Sequence, residues 1–434
     1  MLNNYKNICL ILGAGKGTRM KNDTPKILHS IAGKKLIEYS YLTANLLNAE
    51  VITIISELSD EISPILNKYQ SKNVIQAERL GTGHAVKLCL DLIHPNNNVI
   101  ILYGDTPFIK VETINNMLSE ISDNTAICIL GFEASNPSGY GRLISTSNNK
   151  VLEIIEEKEA NLEQKKISLC NSGIMVFNGK YINEIISKID NQNSKGEYYL
   201  TDAVKIANNL GLDVKYISTN ESEVIGINSQ QERAEAEKIY QNQLRDKHLS
   251  NGVIITDPQN VYFSDETEIA SGVIIDPFVV FKGKVKIGKN SVINSFSHLE
   301  DCEIAENVNI GPYARIRPKT KIYDDAKIGN FVELKNAKIG KGSKVNHLSY
   351  IGDANIGKNV NIGAGTITCN YDGKNKFTTE IADNVFVGSN SSLIAPINIA
   401  ENAIIGAGTT LFADAPANKI TINKKEIRVL DKKL

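Results

Sequence analysis

Residues 304–334 read IAENVNIGPYARIRPKTKIYDDAKIGNFVEL, with an aliphatic side chain at Ile304, Ile310, Ile316, Ile322, Ile328 and Leu334. A six-residue period fits neither a helix nor an alternating strand. It is the signature of a parallel β-helix, in which each side of a triangular coil turns one aliphatic inward and stacked coils bury a continuous core. Upstream, the same spacing runs through Ile269, Ile275, Phe281, Ile287, Ile293 and Leu299, then slips to five. Downstream it slips again to Ile339, Val345 and Ile351, and again to Ile356 and Ile362. A last run reads Ile381, Val387, Leu393, Ile399, Ile405 and Leu411. A left-handed parallel β-helix of hexapeptide repeats is therefore expected over 252–434.

Ahead of that register, residues 1–228 alternate strands with helices. Asn7–Leu12 predicts a buried strand ending in a glycine-rich turn; Val51–Ser56 and Val99–Tyr103 predict two more, with the helical pattern Lys35–Leu47 among them. This predicts an α/β domain, Rossmann-like, whose mostly parallel sheet is covered by helices on both faces. Ligands of such folds bind beyond the carboxyl ends of the strands, where the Gly13 turn and Gly104-Asp105 fall. Ser229-Gln230-Gln231-Glu232 has the form of a capping box, followed at helical spacing by Ala236, Ile239, Tyr240 and Leu244. Residues 229–251 are expected to form a helical linker between the domains at 1–228 and 252–434.

A chain of 434 residues suffices for two or three domains. The formal net charge of −1, with both signs interspersed, offers no field for nucleic acid or an anionic membrane. The six cysteines are scattered without a Cys-x-x-Cys pair, which points away from zinc and disulfides and toward a reducing cytoplasm. The apolar run Ile8–Leu12 is too short for a signal peptide. No stretch approaches the roughly 18 apolar residues of a membrane span. The expectation is a cytoplasmic protein with no membrane insertion and no nucleic-acid partner.

Leu12-Gly13-Ala14-Gly15-Lys16-Gly17-Thr18-Arg19-Met20 follows the first strand, with Pro25-Lys26 shortly after. Backbone N–H groups of a glycine-rich turn at a helix start attract phosphate, and Arg19 and Lys26 add positive charge. The loop has neither the Gly-Lys-Ser/Thr ending of a Walker A loop nor the dinucleotide fingerprint. Standing alone, it reads equally as a tight strand–helix turn. Gln76 to Ala85, QAERLGTGHA, supplies a second glycine loop with Gly81 and Thr82, whose amide and hydroxyl groups suit the edge of a base. Tyr103-Gly104-Asp105 puts a carboxylate just past an apolar strand, a place for a metal ligand or for a loop cap.

A β-helix is a scaffold, so chemistry belongs where its repeat is interrupted. The main interruption, Cys369 to Thr379, contains Asn370-Tyr371-Asp372-Gly373, and His347 lies upstream. A lone histidine is more often structural than catalytic. This one stands two positions past the inward Val345, so an outward side chain is expected. Arg317, Lys335, Tyr350, Asn361 and Asn370 are candidates to gather around it, two of them cations suited to a sugar phosphate. Histidine is the natural general base near neutral pH.

Taken together, the N-terminal motifs resemble those of the sugar-1-phosphate nucleotidyltransferases, L-x-A-G-x-G-T-R-M…P-K, with Gly13 where alanine is usual. The whole chain resembles the bacterial family of bifunctional N-acetylglucosamine-1-phosphate uridyltransferase/glucosamine-1-phosphate N-acetyltransferases. The similarity runs over almost all 434 residues. It implies acetyl transfer from acetyl-CoA to glucosamine 1-phosphate, then uridylyl transfer from UTP to N-acetylglucosamine 1-phosphate with Mg²⁺ and release of pyrophosphate. A phosphate nucleophile is already ionised, so the second step needs positioning and charge neutralisation rather than a base.

By the same resemblance, nucleotide contacts fall on Leu12, Gly13, Ala14, Gly15, Lys26, Gln76, Gly81 and Thr82. Tyr103, Gly104 and Asp105 form a segment bearing a metal ligand. Sugar contacts fall on Gly141, Glu156, Asn171 and Asn228. Asp105 and Asn228 are the implied Mg²⁺ ligands, with Arg19 and Lys26 as catalytic cations. Glu157 stands where histidine is frequent. In the β-helix, His347 matches the proton acceptor, and Arg317, Lys335, Tyr350, Asn361 and Asn370 match acceptor-sugar positions. Acetyl-CoA contacts match Ala364, Asn370, Tyr371, Ser389, Ala407 and Lys424. An arginine is common at Lys424, and lysine keeps the charge but loses bidentate geometry. The family's homotrimer, with an acetyltransferase site shared between subunits, is expected too. Two other readings stay open: a monofunctional nucleotidyltransferase with a structural or regulatory β-helix, and an assembly subunit without activity.

Overall fold

The computed structural model describes residues 6–193 and 195–423; Lys424 lies outside them. The chain divides into two compact units at Glu237/Lys238. In the first, the strands are β1 (Asn7–Leu12), β2 (Glu50–Ile55), β3 (Lys72–Ile75), β4 (Asn98–Tyr103), β5 (Thr125–Glu133), β6 (Arg142–Ser145), β7 (Val151–Ile155), β8 (Leu169–Phe177) and β9 (Asp213–Thr219). Their order is β9-β5-β8-β4-β1-β2-β3, with the β6–β7 hairpin attached to β8. All neighbours on the main path are parallel except β8, which runs against both β4 and β5.

The apolar run of β1 is buried on both faces, as a central parallel strand requires. Ile8, Leu10 and Leu12 pack into one core with Ile52, Ile54, Val99 and Ile101. Cys9 and Ile11 pack into the other with Val51, Ile55, Ile100 and Leu102. In register, Leu12 lies level with Ile54 and Tyr103, and Ile55 with Ile75. The Gly13 loop, Gln76 and Gly104 therefore leave the sheet at one edge. All six cysteines are free thiols.

A helix covers Gln230–Ser250, and the division between units falls inside it. At its start Ser229 Oγ accepts from Glu232 N at 3.2 Å, one half of the capping box. The Glu232 carboxylate reaches one residue further back than that motif predicts, to Asn228 N at 2.5 Å. Within the second unit, the buried face of the helix holds Leu244 together with the polar side chains Gln241, Arg245 and His248. Gln241 exchanges hydrogen bonds with both backbone groups of Phe263, and Arg245 donates to the carbonyls of Val261 and Gln259.

His248 completes that face. It is buried against Phe263, ring centroids 4.6 Å apart, with no hydrogen-bond partner on either ring nitrogen. Burial first, and the Lys247 charge second, lower its pKa to about 4. A lowered histidine pKa means that the unfolded chain takes up the proton first, so this contribution is complete above pH 6.5 and is lost as pH falls toward 4. The difference reaches about 2.5 kcal/mol near pH 4.5. His248→Leu is expected to flatten that part of the acid limb, checked by melting both proteins at pH 7 and pH 4.5.

The remainder of the second unit is the left-handed β-helix, its short strands paired parallel, coil on coil. The hexapeptide aliphatics point inward and are buried, except Ile269, which is partly exposed; Ile255, Val261 and Phe263 supply the first coil. Left-handed residues mark the corners. One corner stacks Asn290, Asn307, Asp325, Asn359, Asn384, Asn402 and Asn418. A second stacks Phe278, Phe296, Tyr313 and Phe331 ring on ring at 4.9–5.1 Å, followed by Leu348 and Gly365. The third carries Asp301, Asn336 and Asp353. Every five-residue slip (Leu299 to Ile304, Leu334 to Ile339, Ile351 to Ile356) occurs at this third corner, where the turn is one residue shorter.

Candidate active sites

A cleft of about 600 Å³ opens at the carboxyl edge of the first unit's sheet. Its walls include Leu12, Gly13, Ala14, Gly15, Lys26, Gln76, Gly81, Thr82, Tyr103, Asp105, Glu156 and Asn171. Gly13 donates to Ile54 O at 2.8 Å, so the first glycine loop continues directly from the strand edge. The buried Gln76 side chain donates to Gly81 O at 3.0 Å and meets His84 Nδ1 at 3.2 Å.

The second glycine loop is clamped to residues 198–200: Gly83 N to Tyr198 O at 2.8 Å, Tyr198 N to Leu80 O at 2.7 Å, Leu200 N to Thr82 Oγ1 at 3.3 Å. Gly81 holds φ +106°, and a β-carbon there would sit 2.6 Å from Tyr198 O. Gly81→Ala carries about 1–3 kcal/mol of local strain, so a melting temperature lower by roughly 2–4 °C per kcal/mol is expected, checked by thermal unfolding of both proteins.

Lys26 donates to Asp105 Oδ2 and, at 3.0 Å, to Asn228 Oδ1. Ile227 N donates to Asp105 O at 3.0 Å, which ties the Asn228 segment to the end of β4. Tyr103 is held well above its ordinary pKa by burial, with Asp105 and Glu156 adding to it, so it stays a neutral phenol. Gly173 lies flat against its ring, φ +87°, where any side chain would collide.

Glu156 accepts from Thr201 Oγ1 at 3.0 Å. Gly141 and Asn171 meet through Asn171 N to Gly141 O at 2.8 Å. Beside them the fully buried Arg142 guanidinium pairs with Glu157 at 2.6 Å and lowers the pKa of its carboxyl. That pair gives Glu157 a structural part that its sequence position did not suggest. Arg19 does not join the cleft: it is exposed on the turn Thr18–Met20 and contributes nothing to the walls. Lys16 and Arg79, inside the two glycine motifs but not singled out there, do line it, as do Glu197 and Tyr199, which no motif marked. Among the described residues no cluster of three His, Cys, Asp or Glu side chains is placed to hold a metal. Asp105 and Asn228, two hard oxygens already converging on one cation, fit an ion such as Mg²⁺ that takes few protein ligands.

In the β-helix the candidates form columns along the coils. His347 is exposed at the aromatic corner, where Asn330, one coil above, places Oδ1 2.9 Å from His347 Nδ1. Below it, Gly365 N bonds His347 O, Asn390 N bonds Ala364 O, and Gly408 N bonds Ser389 O. Ala364, Ser389 and Ala407 thus descend from His347 in successive coils, about 4.8 Å apart. The third corner carries a second column, in which Lys335 pairs with Gly352 and Arg317 N bonds Leu334 O. Asn370 there donates to Asp353.

The interruption at 370–378 folds as a small hairpin: Tyr371 bridges Lys376, and Asp372 Oδ1 accepts from Lys374 N and Asn375 N. It sets the Lys376 ammonium beside Lys335, whose pKa is lowered chiefly by that contact, with a smaller effect of Arg317. Lys376 was not singled out in the sequence because its approach depends on this hairpin. Tyr350 lies on the face between the two corners and Asn361 on the face beyond His347. Within one chain the five polar candidates therefore do not close around His347.

Residues 9–161 match the MobA-like NTP transferase domain, 266–300 the bacterial transferase hexapeptide (six repeats), and 379–413 the hexapeptide repeat of succinyl-transferase. The chain is 43% identical over 421 residues to the Bifunctional protein GlmU of Bartonella bacilliformis, covering 96% of this chain and 94% of that one. It is 46% identical over 423 residues to that of Nitrobacter hamburgensis, with coverage of 96% and 93%. For Cellvibrio japonicus the figures are 41% over 438 residues and 96% of each chain. The chain belongs to the bifunctional GlmU family. As a GlmU-type enzyme it is a transferase with two activities, uridylyl and acetyl transfer, in UDP-N-acetylglucosamine synthesis. This removes the monofunctional and assembly-subunit readings.

Proposed function

We propose that the two transfers run at two separate places, uridylyl transfer in the cleft of the first unit and acetyl transfer beside His347. In acetyl transfer the amine of glucosamine 1-phosphate attacks the thioester carbonyl of acetyl-CoA. His347, its Nδ1–H donated to Asn330, takes the amine proton at Nε2, and the thiol of coenzyme A leaves. The column Ala364, Ser389, Ala407 supports a track for the coenzyme. Asn370 and Tyr371 border the acceptor, and Lys424 adds a cation for a coenzyme phosphate. In uridylyl transfer a phosphate oxygen of N-acetylglucosamine 1-phosphate attacks the α-phosphorus of UTP, and pyrophosphate departs. The glycine loop and Lys26 hold the triphosphate; Gln76, Gly81 and Thr82 read the base; Gly141, Glu156 and Asn171 hold the sugar. Asp105 and Asn228 would hold Mg²⁺, which would supply charge neutralisation between the two anions. A homotrimer accommodates the separation of the His347 and Lys335 columns, because a neighbouring chain can bring the missing side groups. A cytoplasmic location agrees with the finding that, among the described residues, no helix is long and apolar enough to cross a membrane.

The observation that supports the acetyl-transfer assignment is the corner where the hairpin sets Lys376 beside Lys335, with Arg317 near them although paired with Glu333 at 2.7 Å. Like charges pressed together raise the energy of the free protein and are relieved by an anion, which a bare scaffold does not require. Calorimetric titration of glucosamine 1-phosphate tests it. Lys376→Met should weaken binding about tenfold or more, the scale of one hydrogen bond to a charged group. Undiminished affinity would count against this corner as the phosphate site.

A further inference from the structure

Asp105 and Asn228 each aim an oxygen at one cation, and here that cation is the Lys26 ammonium. The backbone of both residues, and the side-chain amide of Asn228, are held independently of any ligand. Asn228 N is held by the Glu232 carboxylate at 2.5 Å, its Nδ2 donates to Gly226 O at 3.2 Å, and Ile227 N anchors the segment to Asp105 O. The same two oxygens are those proposed above to hold Mg²⁺, and the inference rests on that reading. Two cations cannot share them, through contact and through like-charge repulsion.

We infer that this pair is a cation-exchange seat: Lys26 fills it in the nucleotide-free enzyme and yields it to a divalent cation only when an anionic nucleotide takes up the ammonium. Lys26 lines the same cleft as the Gly15 loop, so a triphosphate lying there offers it another anionic partner. Its flexible stem allows the change of partner without movement of the backbone. Three consequences follow. The largely buried Asp105 carboxylate is never left unpaired, a costly state. A divalent cation alone binds weakly, because its apparent affinity is scaled by the small fraction of seats that Lys26 has vacated. Metal and nucleotide bind with reciprocal positive coupling.

The test is Mn²⁺ binding to the full chain, read from the electron paramagnetic resonance signal of the free ion, with and without UTP. Lys26→Met and Lys26→Gln are both used because they fill the space differently. Each is expected to bind Mn²⁺ without nucleotide about tenfold or more tighter than the native chain, as for a seat that Lys26 occupies most of the time. UTP should then strengthen Mn²⁺ binding more in the native chain than in either variant. Unchanged or weaker nucleotide-free binding in both variants overturns the exchange, while loss of binding in Asp105→Asn would leave the metal reading intact. If Asp105→Asn keeps native Mn²⁺ binding in both conditions, the metal reading fails and the exchange fails with it.

Discussion

His347→Ala is expected to slow acetyl transfer by about 10²–10⁴, the range for removal of a positioned general base, and to leave uridylylation of supplied N-acetylglucosamine 1-phosphate unchanged. The side chain is exposed, so its loss opens no cavity, and its hydrogen bond runs to the Asn330 side chain. The fold should survive: Val345 beside it carries the core contact, and the backbone bond from Gly365 does not involve the imidazole. Asn330→Leu should give a smaller loss in the same direction, because the ring remains but its Nδ1 partner is gone. Parallel assays of both half-reactions, with the melting temperature of each variant, separate chemistry from folding. Equal loss of both activities in a folded His347→Ala protein would speak against separate sites.

Asp105→Asn is expected to produce the opposite pattern, uridylyl transfer down by about 10²–10³ and acetyl transfer intact. The substitution keeps the shape of the side chain but removes the charge that faces Lys26. It also leaves the seat with two neutral amide oxygens, a poor site for a hard divalent cation. The backbone bond from Ile227 to Asp105 O is unaffected, so the loop after β4 should keep its place. Raising Mg²⁺ in the assay should recover part of the rate, and Mg²⁺ dependence measured for both proteins checks this.

The β-helix was legible because its period belongs to the inward positions alone: one aliphatic per side is the minimum that the core demands, whatever the outward residues are. Even the slips were readable as five-residue steps, although only the coils reveal that all three lie at the corner of Asp301, Asn336 and Asp353. The α/β unit was legible from continuous apolar strands and from glycine loops at their ends. What escaped the sequence depends on contacts between distant segments. Lys376 reaches Lys335 only through the hairpin at 370–377. Glu197 and Tyr199 line the cleft because residues 198–200 clamp the Gly81 loop. Glu157 acquired a role from the buried Arg142. The helix Gln230–Ser250 was legible, with Ala236 and Leu244 buried as their spacing suggests, yet Gln241 and Arg245 are buried too because they satisfy backbone groups, and His248 because it packs on Phe263. Arg19, inside a recognisable motif, stands in solvent because the turn Thr18–Met20 buries Met20 in preference to its neighbours.

A mass-spectrometric product assay tests the two-site account most directly. Purified protein is incubated with glucosamine 1-phosphate, UTP and Mg²⁺, with and without acetyl-CoA. UDP-N-acetylglucosamine forming when acetyl-CoA is present, with no UDP-glucosamine forming without it, is the predicted result, and together these establish both transfers and their order. Absence of that product, while supplied N-acetylglucosamine 1-phosphate is still uridylylated, would contradict the acetyl-transfer assignment to His347 and its columns.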